Sequence, residues 1–310
     1  MLTYIIILLD DTSVSYCHYD VPERKRKLIS LDDLKAGVLF AMKENLNIQF
    51  VYPNYVLPAE YLEVIDTIDH IDIKPNNLSD EANLVVMNGW EEVPENSTCI
   101  LHTTRKELTS NLSKVEDVLS KATRLNIVLT DVETFKDEDI DDYKKTLGNL
   151  AEGIVRLCQK GKNAQLNLLT DRILLSKMNN CGAGDTCITL APNGKFYVCP
   201  AFYYDNEMDY VGDLANGLNI KNRQLYQLAY APICSHCDAW QCKRCIWLNQ
   251  KMTLEVNTPS HEQCVLAHLE RNVSRDLQSV SHEKGIDIPG QQEIEEIDYL
   301  DPYDNKDKWQ

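Results

Sequence analysis

The chain has 310 residues, a hydrophobic content of 44% and a formal net charge of −17. Its length accommodates one large domain and a smaller one, and the composition is ordinary for a globular core. The acidic charge repels phosphate backbones, which argues against a nucleic-acid partner. No stretch reaches the about 18 apolar residues needed to span a bilayer, so we expect no membrane partner.

The apolar first residues, 1–9, end at Asp10 and Asp11, with neither a basic segment before them nor a small-residue cleavage site after them. This pattern predicts a buried strand and not a secretion signal. We therefore expect a cytoplasmic protein whose cysteines stay reduced and form no disulfides.

Strand-like and helix-like stretches alternate from residue 1 to residue 180. Such alternation predicts an α/β fold with a parallel sheet covered by helices, and we expect a partial (β/α) barrel. The predicted strands are Thr3–Leu9, Ile48–Tyr52, Ile71–Ile73, Asn83–Met87, Thr98–His102, Leu125–Leu129 and Gln165–Leu169. The predicted helices are Leu31–Asn45, Ala59–Thr67, Arg105–Lys121 and Asp137–Lys160.

Glycine placement excludes nucleotide-binding loops. The glycines before residue 182 lie too far apart in the sequence to cradle a phosphate group. The sequence also lacks the Gly-x-Ser-x-Gly and His-Glu-x-x-His motifs, so a hydrolase function has no local support.

The main chemical signal is a block of eight cysteines in the second half of the chain. Thiolate ligands select zinc or iron–sulfur clusters, and both require four ligands for each centre. The block therefore predicts two metal centres, and its four closely spaced members resemble metal-binding knuckles. The eight residues are Cys181, Cys187, Cys199, Cys234, Cys237, Cys242, Cys245 and Cys264.

A β-hairpin is predicted at the start of this block. Residues 187–191 and 195–199 flank a Pro-Asn-Gly sequence at 192–194, which is typical of a turn. If these three residues form the loop, Cys187 pairs with Cys199 and their Cβ atoms lie about 5 Å apart. Such a pair can hold one metal centre.

The cysteine pattern resembles the SPASM domain of radical SAM peptide maturases. Cys181-Gly-Ala-Gly is followed by Gly194-x4-Cys199, a close cysteine run and a final Cys264. The spacings Cys237-x4-Cys242 and Cys242-x2-Cys245 depart from the family, which has x5 and x3 there. The chain resembles in particular the maturases associated with CXXX-repeat peptides, which lack the usual radical SAM cluster motif.

The resemblance implies two auxiliary 4Fe-4S clusters held by protein thiolates alone, with zinc at the same ligands as the open alternative. It implies a degenerate radical SAM-like partial barrel at 1–180, a SPASM-like iron–sulfur domain at 181–281 and an acidic, disordered tail at 282–310. Cluster I would take Cys181, Cys187, Cys199 and Cys245. Cluster II would take Cys234, Cys237, Cys242 and Cys264.

The radical SAM family carries C-x3-C-x-aromatic-C after its first strand, where three thiolates leave one iron open for S-adenosylmethionine. Here Asp10, Val14 and Cys17 stand at those positions. One thiolate cannot hold that cluster, so we expect no SAM cluster and no SAM cleavage by this chain alone.

Several other side chains have simpler interpretations. Cys17, together with Cys99 and Cys158, is interpreted as a small buried residue. For His236 and His261 we favour hydrogen bonding to the ligands or solvent exposure over metal ligation. Trp240 and Trp247 bracket the close cysteine run and are interpreted as its packing.

The resemblance implies maturation of a ribosomally synthesised peptide, with the chain acting on or holding a cysteine-containing precursor. Two alternatives stay open. The chain is a noncatalytic peptide-binding or electron-transfer partner of another modification enzyme, or it is a zinc-stabilised binding module. No catalytic residue is assigned, and whether the chain is an enzyme stays open with these alternatives.

Overall fold

A computed structural model describes residues 2–23, 25–79 and 82–294. The chain divides into two compact units, each built from two stretches of sequence. Unit 1 comprises Met1–Val86 and Cys181–Tyr230, and unit 2 comprises Met87–Asn180 and Ala231–Gln310.

The strands and helices follow the predicted alternation closely. The strands are β1 Tyr4–Leu8, β2 Asn47–Val51, β3 His70–Pro75, β4 Leu84–Met87, β5 Thr98–Thr103, β6 Arg124–Leu129, β7 Gln165–Leu166, β8 Cys187–Leu190, β9 Phe196–Tyr197, β10 Gly212–Asp213 and β11 Gly217–Leu218. The helices are α1 Leu31–Glu44, α2 Ala59–Ile65, α3 Arg105–Ser110, α4 Leu112–Lys121, α5 Ile140–Gln159, α6 Thr170–Leu174, α7 Pro200–Asp205, α8 Ile246–Thr253 and α9 His261–Glu283. The predicted α/β class with mostly parallel strands is confirmed.

The sheet of unit 1 has the order β4-β3-β2-β1-β8-β9. All neighbours are parallel except β8 and β9. The central strand β1 is buried on both faces, and Ile5 pairs with Ile48 on one side and Ile188 on the other. A long apolar strand flanked by two parallel partners is the arrangement that its continuous hydrophobic sequence predicts.

Helix α1 makes the crossover from β1 to β2, and local signals fix both of its ends. The Ser30 side chain accepts a hydrogen bond from the Asp33 backbone N–H, a standard N-cap. Asn45 ends the helix in the left-handed conformation, with φ of 55°. The helix packs Leu34, Val38 and Ala41 into the unit 1 core, which also contains the hairpin residues Ile188, Leu190 and Phe196.

The predicted hairpin is confirmed with its register. Thr189 pairs with Tyr197 and Leu190 with Phe196, as the three-residue turn requires. The strand pairing ends at Thr189, so the predicted Cys187–Cys199 pair lies just beyond it. Because β8 joins the same sheet as β1, the hairpin is part of unit 1.

Unit 2 contains the parallel strands β5, β6 and β7, covered by helices. The predicted helix Arg105–Lys121 is interrupted at Asn111, where φ is −125°. Thr109, Ser110 and Asn111 each donate a side-chain hydrogen bond to the carbonyl four residues earlier. Such side chains compete with the helical hydrogen-bond ladder, which accounts for the break between α3 and α4.

Helix α9, the longest among the described residues, is absent from the sequence prediction. It packs against α5, where the Tyr143 hydroxyl donates to Glu270 Oε1 at 2.9 Å. After α9 the chain contacts α6, where the Gln292 backbone N–H donates to the Ile173 carbonyl at 2.8 Å. The rest of the predicted tail, from residue 295 onward, lies outside the described residues.

Candidate metal centres

Three predicted cluster ligands lie at one end of the hairpin in unit 1. Cys187 begins β8 opposite Tyr4 of β1 and is buried, whereas Cys199 is half-buried and Cys181 is exposed. The Tyr4 hydroxyl donates to the Cys181 carbonyl at 2.7 Å. Burial raises the pKa of Tyr4, and the Cys187 and Cys181 sulfurs raise it further. Cys181 and Cys187 therefore share one neighbour.

A glycine turn fixes the approach of Cys181 to Cys187. The Gly182 carbonyl accepts hydrogen bonds from the N–H groups of Asp185, Thr186 and Cys187, at 2.8–3.0 Å. Gly184 has a φ of +77°, and a Cβ added there would lie 2.6 Å from Cγ of Tyr226. Only glycine fits this left-handed position without strain. The Cys-Gly-x-Gly sequence is thus required by the turn itself.

The loop after β1 brings a fourth cysteine into unit 1. Burial raises the pKa of Tyr19, and Cys17, Tyr204 and Cys199 each raise it further. Cys17 and Cys199 are therefore both neighbours of Tyr19. Cys17 lies in a loop and is only half-buried, as is Cys158 near the end of α5, so their interpretation as buried residues was wrong. Cys99 is fully buried, as predicted.

Asp10, which stands where the radical SAM motif has its first cysteine, has a local structural role. Asp10 is fully buried, and its Oδ1 accepts hydrogen bonds from the backbone N–H and the hydroxyl of Thr12, at 2.8 and 2.5 Å. Its Oδ2 accepts a third hydrogen bond from the Tyr55 hydroxyl at 2.8 Å. The carboxylate therefore holds the loop that begins at Asp10 against the segment after β2.

In unit 2, two backbone N–H groups point at predicted ligand sulfurs. The Ala239 N–H donates to Cys237 Sγ and the Arg244 N–H donates to Cys242 Sγ, each at 3.4 Å. In both cases the donor lies two residues after the cysteine. Arg244 adopts a left-handed φ of 45° to make this turn. Hydrogen bonds of this kind strengthen when the sulfur is an ionised metal ligand.

The sulfurs of Cys237 and Cys242 are electrostatic neighbours. Burial raises the pKa of Cys242 to about 12, the Arg244 N–H lowers it, and Cys237 raises it again. Such a buried thiol stays protonated near neutral pH unless a metal ion replaces its proton. Cys234 lies in a 3₁₀ turn just before Cys237, whose N–H donates to the Cys234 carbonyl at 3.2 Å.

Helix α9 carries the last predicted ligand and a residue that the sequence did not single out. Cys264 and His268 lie one turn apart on α9, hence on the same face, and both are buried. His268 Nε2 lies 3.5 Å from Cys237 Sγ. Cys264 therefore lies on the face of α9 that is directed toward Cys237. A histidine four residues after a predicted ligand shares its helix face, and this spacing is the sequence signal that could have identified His268.

The remaining candidates behave as interpreted. His236 is exposed, and His261 is nearly half exposed and lies 3.7 Å from Asp137. Trp240 packs under the Arg172 guanidinium, 4.0 Å from the ring centroid. Trp247 is buried in α8 next to Cys245.

The described residues bring predicted ligands together in pairs. No group of three or more His, Cys, Asp or Glu side chains among them is arranged to hold a metal ion. The two predicted ligand sets, the 181–281 domain and the iron–sulfur cofactors therefore stay predictions. Within the same residues, no helix combines the length and the apolar character needed to cross a membrane.

No protein-family model and no curated protein matches the chain. Among solved structures, the chain is similar to Streptococcus suis SuiB bound to the precursor peptide SuiA, with 10% sequence identity and a TM-score of 0.38. The match covers 78% of this chain and 70% of that chain. A similarity at this level supports no argument about function.

Proposed function

We propose that this chain is an iron–sulfur protein of ribosomal peptide maturation. It acts on or holds a cysteine-containing precursor peptide through a SPASM-like domain with two auxiliary 4Fe-4S clusters, and it does not cleave S-adenosylmethionine. The proposed architecture is a radical SAM-like partial barrel followed by this domain. The proposal rests on the residues of the cysteine block.

The observation that carries the proposal is the pair of N–H···S hydrogen bonds at Cys237 and Cys242. Both donors lie two residues after their cysteine, in a segment where four thiols fall within twelve positions. A backbone that already directs positive dipoles at sulfur stabilises a thiolate, the form that binds metal. These hydrogen bonds support the proposal that Cys237 and Cys242 bind a metal centre as thiolates.

The two proposed clusters have separate ligand sets. Cluster II would take Cys234, Cys237, Cys242 and Cys264, all of which belong to unit 2. Cluster I would take Cys181, Cys187, Cys199 and Cys245. When bound, such clusters supply one-electron transfer, and a substrate thiol would bind iron there only by replacing one of the four protein thiolates.

A matched peptide pair tests the function. The full-length protein, purified without oxygen, is titrated with a synthetic peptide that has cysteines in a CXXX repeat, and with the same peptide in which serine replaces every cysteine. We expect the cysteine peptide to bind at least about tenfold more tightly, because a peptide thiol can exchange with a protein thiolate at a soft iron centre and a hydroxyl cannot.

Two variants make the test specific. Cys264→Ala removes a proposed cluster II ligand and should reduce the preference for the cysteine peptide. Cys99→Ala changes a buried cysteine of β5 and should leave the preference intact. Equal binding of both peptides by the unaltered protein would contradict a thiol-directed function.

A further inference from the structure

The buried side chain of Arg172 stands out in unit 2. Arg172 belongs to α6, its exposed fraction is 0%, and it is the largest fully buried side chain among the described residues. Within the described part of the chain, its Nε, Nη1 and Nη2 atoms have no hydrogen-bond partner. One face of the guanidinium stacks on Trp240. A buried charge whose five N–H donors are all unused is strongly unfavourable unless a counter-charge is present.

The charges around Arg172 show which counter-charge is missing. Burial lowers the pKa of Arg172 to about 10, Asp238 and Cys237 raise it, and the cations Arg271 and Arg275 lower it further. Asp238 is the largest opposite charge beside Arg172. Its Oδ1 accepts from Arg271 Nη1 at 2.7 Å, and its buried Oδ2 has no hydrogen-bond partner among the described residues. With protonated thiols, this region therefore has more positive than negative charge.

Asp238 alone does not balance the three arginines, so a second negative group is required. The exposed fraction of Arg172 is 0%, so its guanidinium presents no surface to a dissolved anion in this structure. The sulfur of Cys237 also neighbours Arg172, and it lies 3.5 Å from His268 Nε2. Four thiolates around a metal ion or a 4Fe-4S core carry a net negative charge, which supplies the missing partner.

We propose that Arg172 is a positioning residue for cluster II, whose guanidinium donates hydrogen bonds to the sulfur atoms around Cys237. The inference rests on the proposed function and deepens it. A cation in hydrogen-bond contact with a cluster favours the reduced form, which has one more negative charge. Arg172 therefore raises the reduction potential of cluster II and leaves that of cluster I unchanged.

The test is a reductive titration of the full-length protein with dithionite and redox mediators, followed by electron paramagnetic resonance. In Arg172→Gln, one of the two reduction potentials should become more negative while the other stays fixed as an internal control. Arg172→Lys keeps the charge and should give a smaller shift. Arg156→Gln, which removes a surface charge from α5, should shift neither potential.

A second measurement makes the test independent of variant folding. In the unaltered protein labelled with ¹⁵N in its arginine guanidinium groups, pulsed electron paramagnetic resonance of the reduced cluster should detect coupling to an arginine nitrogen. That coupling should be lost in Arg172→Gln.

The outcomes separate the two claims. Unaltered protein that binds no iron would overturn both the proposed function and the role of Arg172. Iron-loaded protein without arginine nitrogen coupling, or with equal potentials in the unaltered and Arg172→Gln proteins, would overturn the role of Arg172 alone.

Discussion

At the residue scale, the groups around the cysteines of unit 2 bear on whether their sulfurs bind a metal. The sulfurs of Cys237 and Cys242 each accept a backbone hydrogen bond, and the His268 ring lies beside Cys237. These groups favour a negative charge on sulfur in the folded chain. Burial raises the pKa of Cys99 as well, and the only hydrogen-bond contact of its sulfur among the described residues is with the Ser97 hydroxyl at 3.2 Å, so it behaves as a small buried residue.

Two single substitutions test which cysteine is the fourth ligand of cluster I. The family pattern assigns Cys245, whereas Cys17 is a neighbour of Tyr19 together with Cys199. We predict that Cys245→Ala loses about half of the bound iron and that Cys17→Ala keeps all of it, because each cluster needs four thiolates. Iron and sulfide are counted for each purified protein. The reverse result would assign the ligand to Cys17.

The buried Glu270 predicts a pH-dependent stability. Burial raises the pKa of Glu270 to about 7, the Tyr143 hydroxyl and Gln241 lower it, and Asp171 raises it. Because the folded state binds the proton more tightly than the unfolded state does, this side chain costs stability as pH rises from about 4.5 to above 7.

We therefore predict that Glu270→Gln is more stable than the unaltered protein at pH 8, by on the order of 3 kcal/mol, and no more stable at pH 5. Glutamine keeps an acceptor for the Tyr143 hydroxyl. Thermal unfolding at both pH values measures the difference, and Glu138→Gln at an exposed position serves as the control. A gain of the same size at both pH values would argue against titration of Glu270.

At the scale of elements, every predicted strand lies on an observed one, and two predicted helices need correction. The strands were predictable because their apolar runs are short, continuous and bounded by polar turns. The interruption at Asn111 depends on side chains that bind carbonyls of their own helix, which a hydrophobic period does not reveal. The first residues of the predicted helix at Asp137 form a 3₁₀ turn instead.

Helix α9 could have been predicted and was not. Ser260 caps it by accepting from the Gln263 N–H, and Val265, Leu269, Val273 and Leu277 follow at intervals of four residues. These are standard signals of a helix start and of a buried helix face.

The glycine turn before β8 gives a prediction about the stability of unit 1. Gly184→Ala should destabilise unit 1 and disturb the Cys181–Cys187 turn, because the new Cβ meets the Tyr226 ring and φ is positive. Gly148→Ala in α5 meets no atom within 4 Å and should stabilise the protein by about 1 kcal/mol. Thermal unfolding of both variants gives the comparison. Equal stability of the two would contradict the described turn.

At the scale of the whole molecule, sequence spacing predicts candidate ligands but not the groups that surround them. The hairpin register followed from a three-residue turn, so the common end of Cys187 and Cys199 was predictable. The burial of Arg172 was not predictable, because it depends on Trp240, a residue distant in the sequence that packs on it only in the fold. Spacing also left the choice between zinc and iron open, since both metals take four thiolates.

The whole chain is also expected to be inactive toward S-adenosylmethionine. Asp10 occupies the first motif position and is held by three hydrogen bonds, and Val14 offers no donor atom. We predict that the purified protein forms no 5′-deoxyadenosine when reduced with dithionite. Stoichiometric 5′-deoxyadenosine that disappears in Cys17→Ala would show that a third cluster exists.

The most direct test of the account is the metal content of the full-length protein purified without oxygen. Two clusters predict a brown protein with about eight irons and eight sulfides for each chain and little zinc. A colourless, folded protein with stoichiometric zinc and no sulfide would contradict the central claim and would favour a zinc-stabilised binding module.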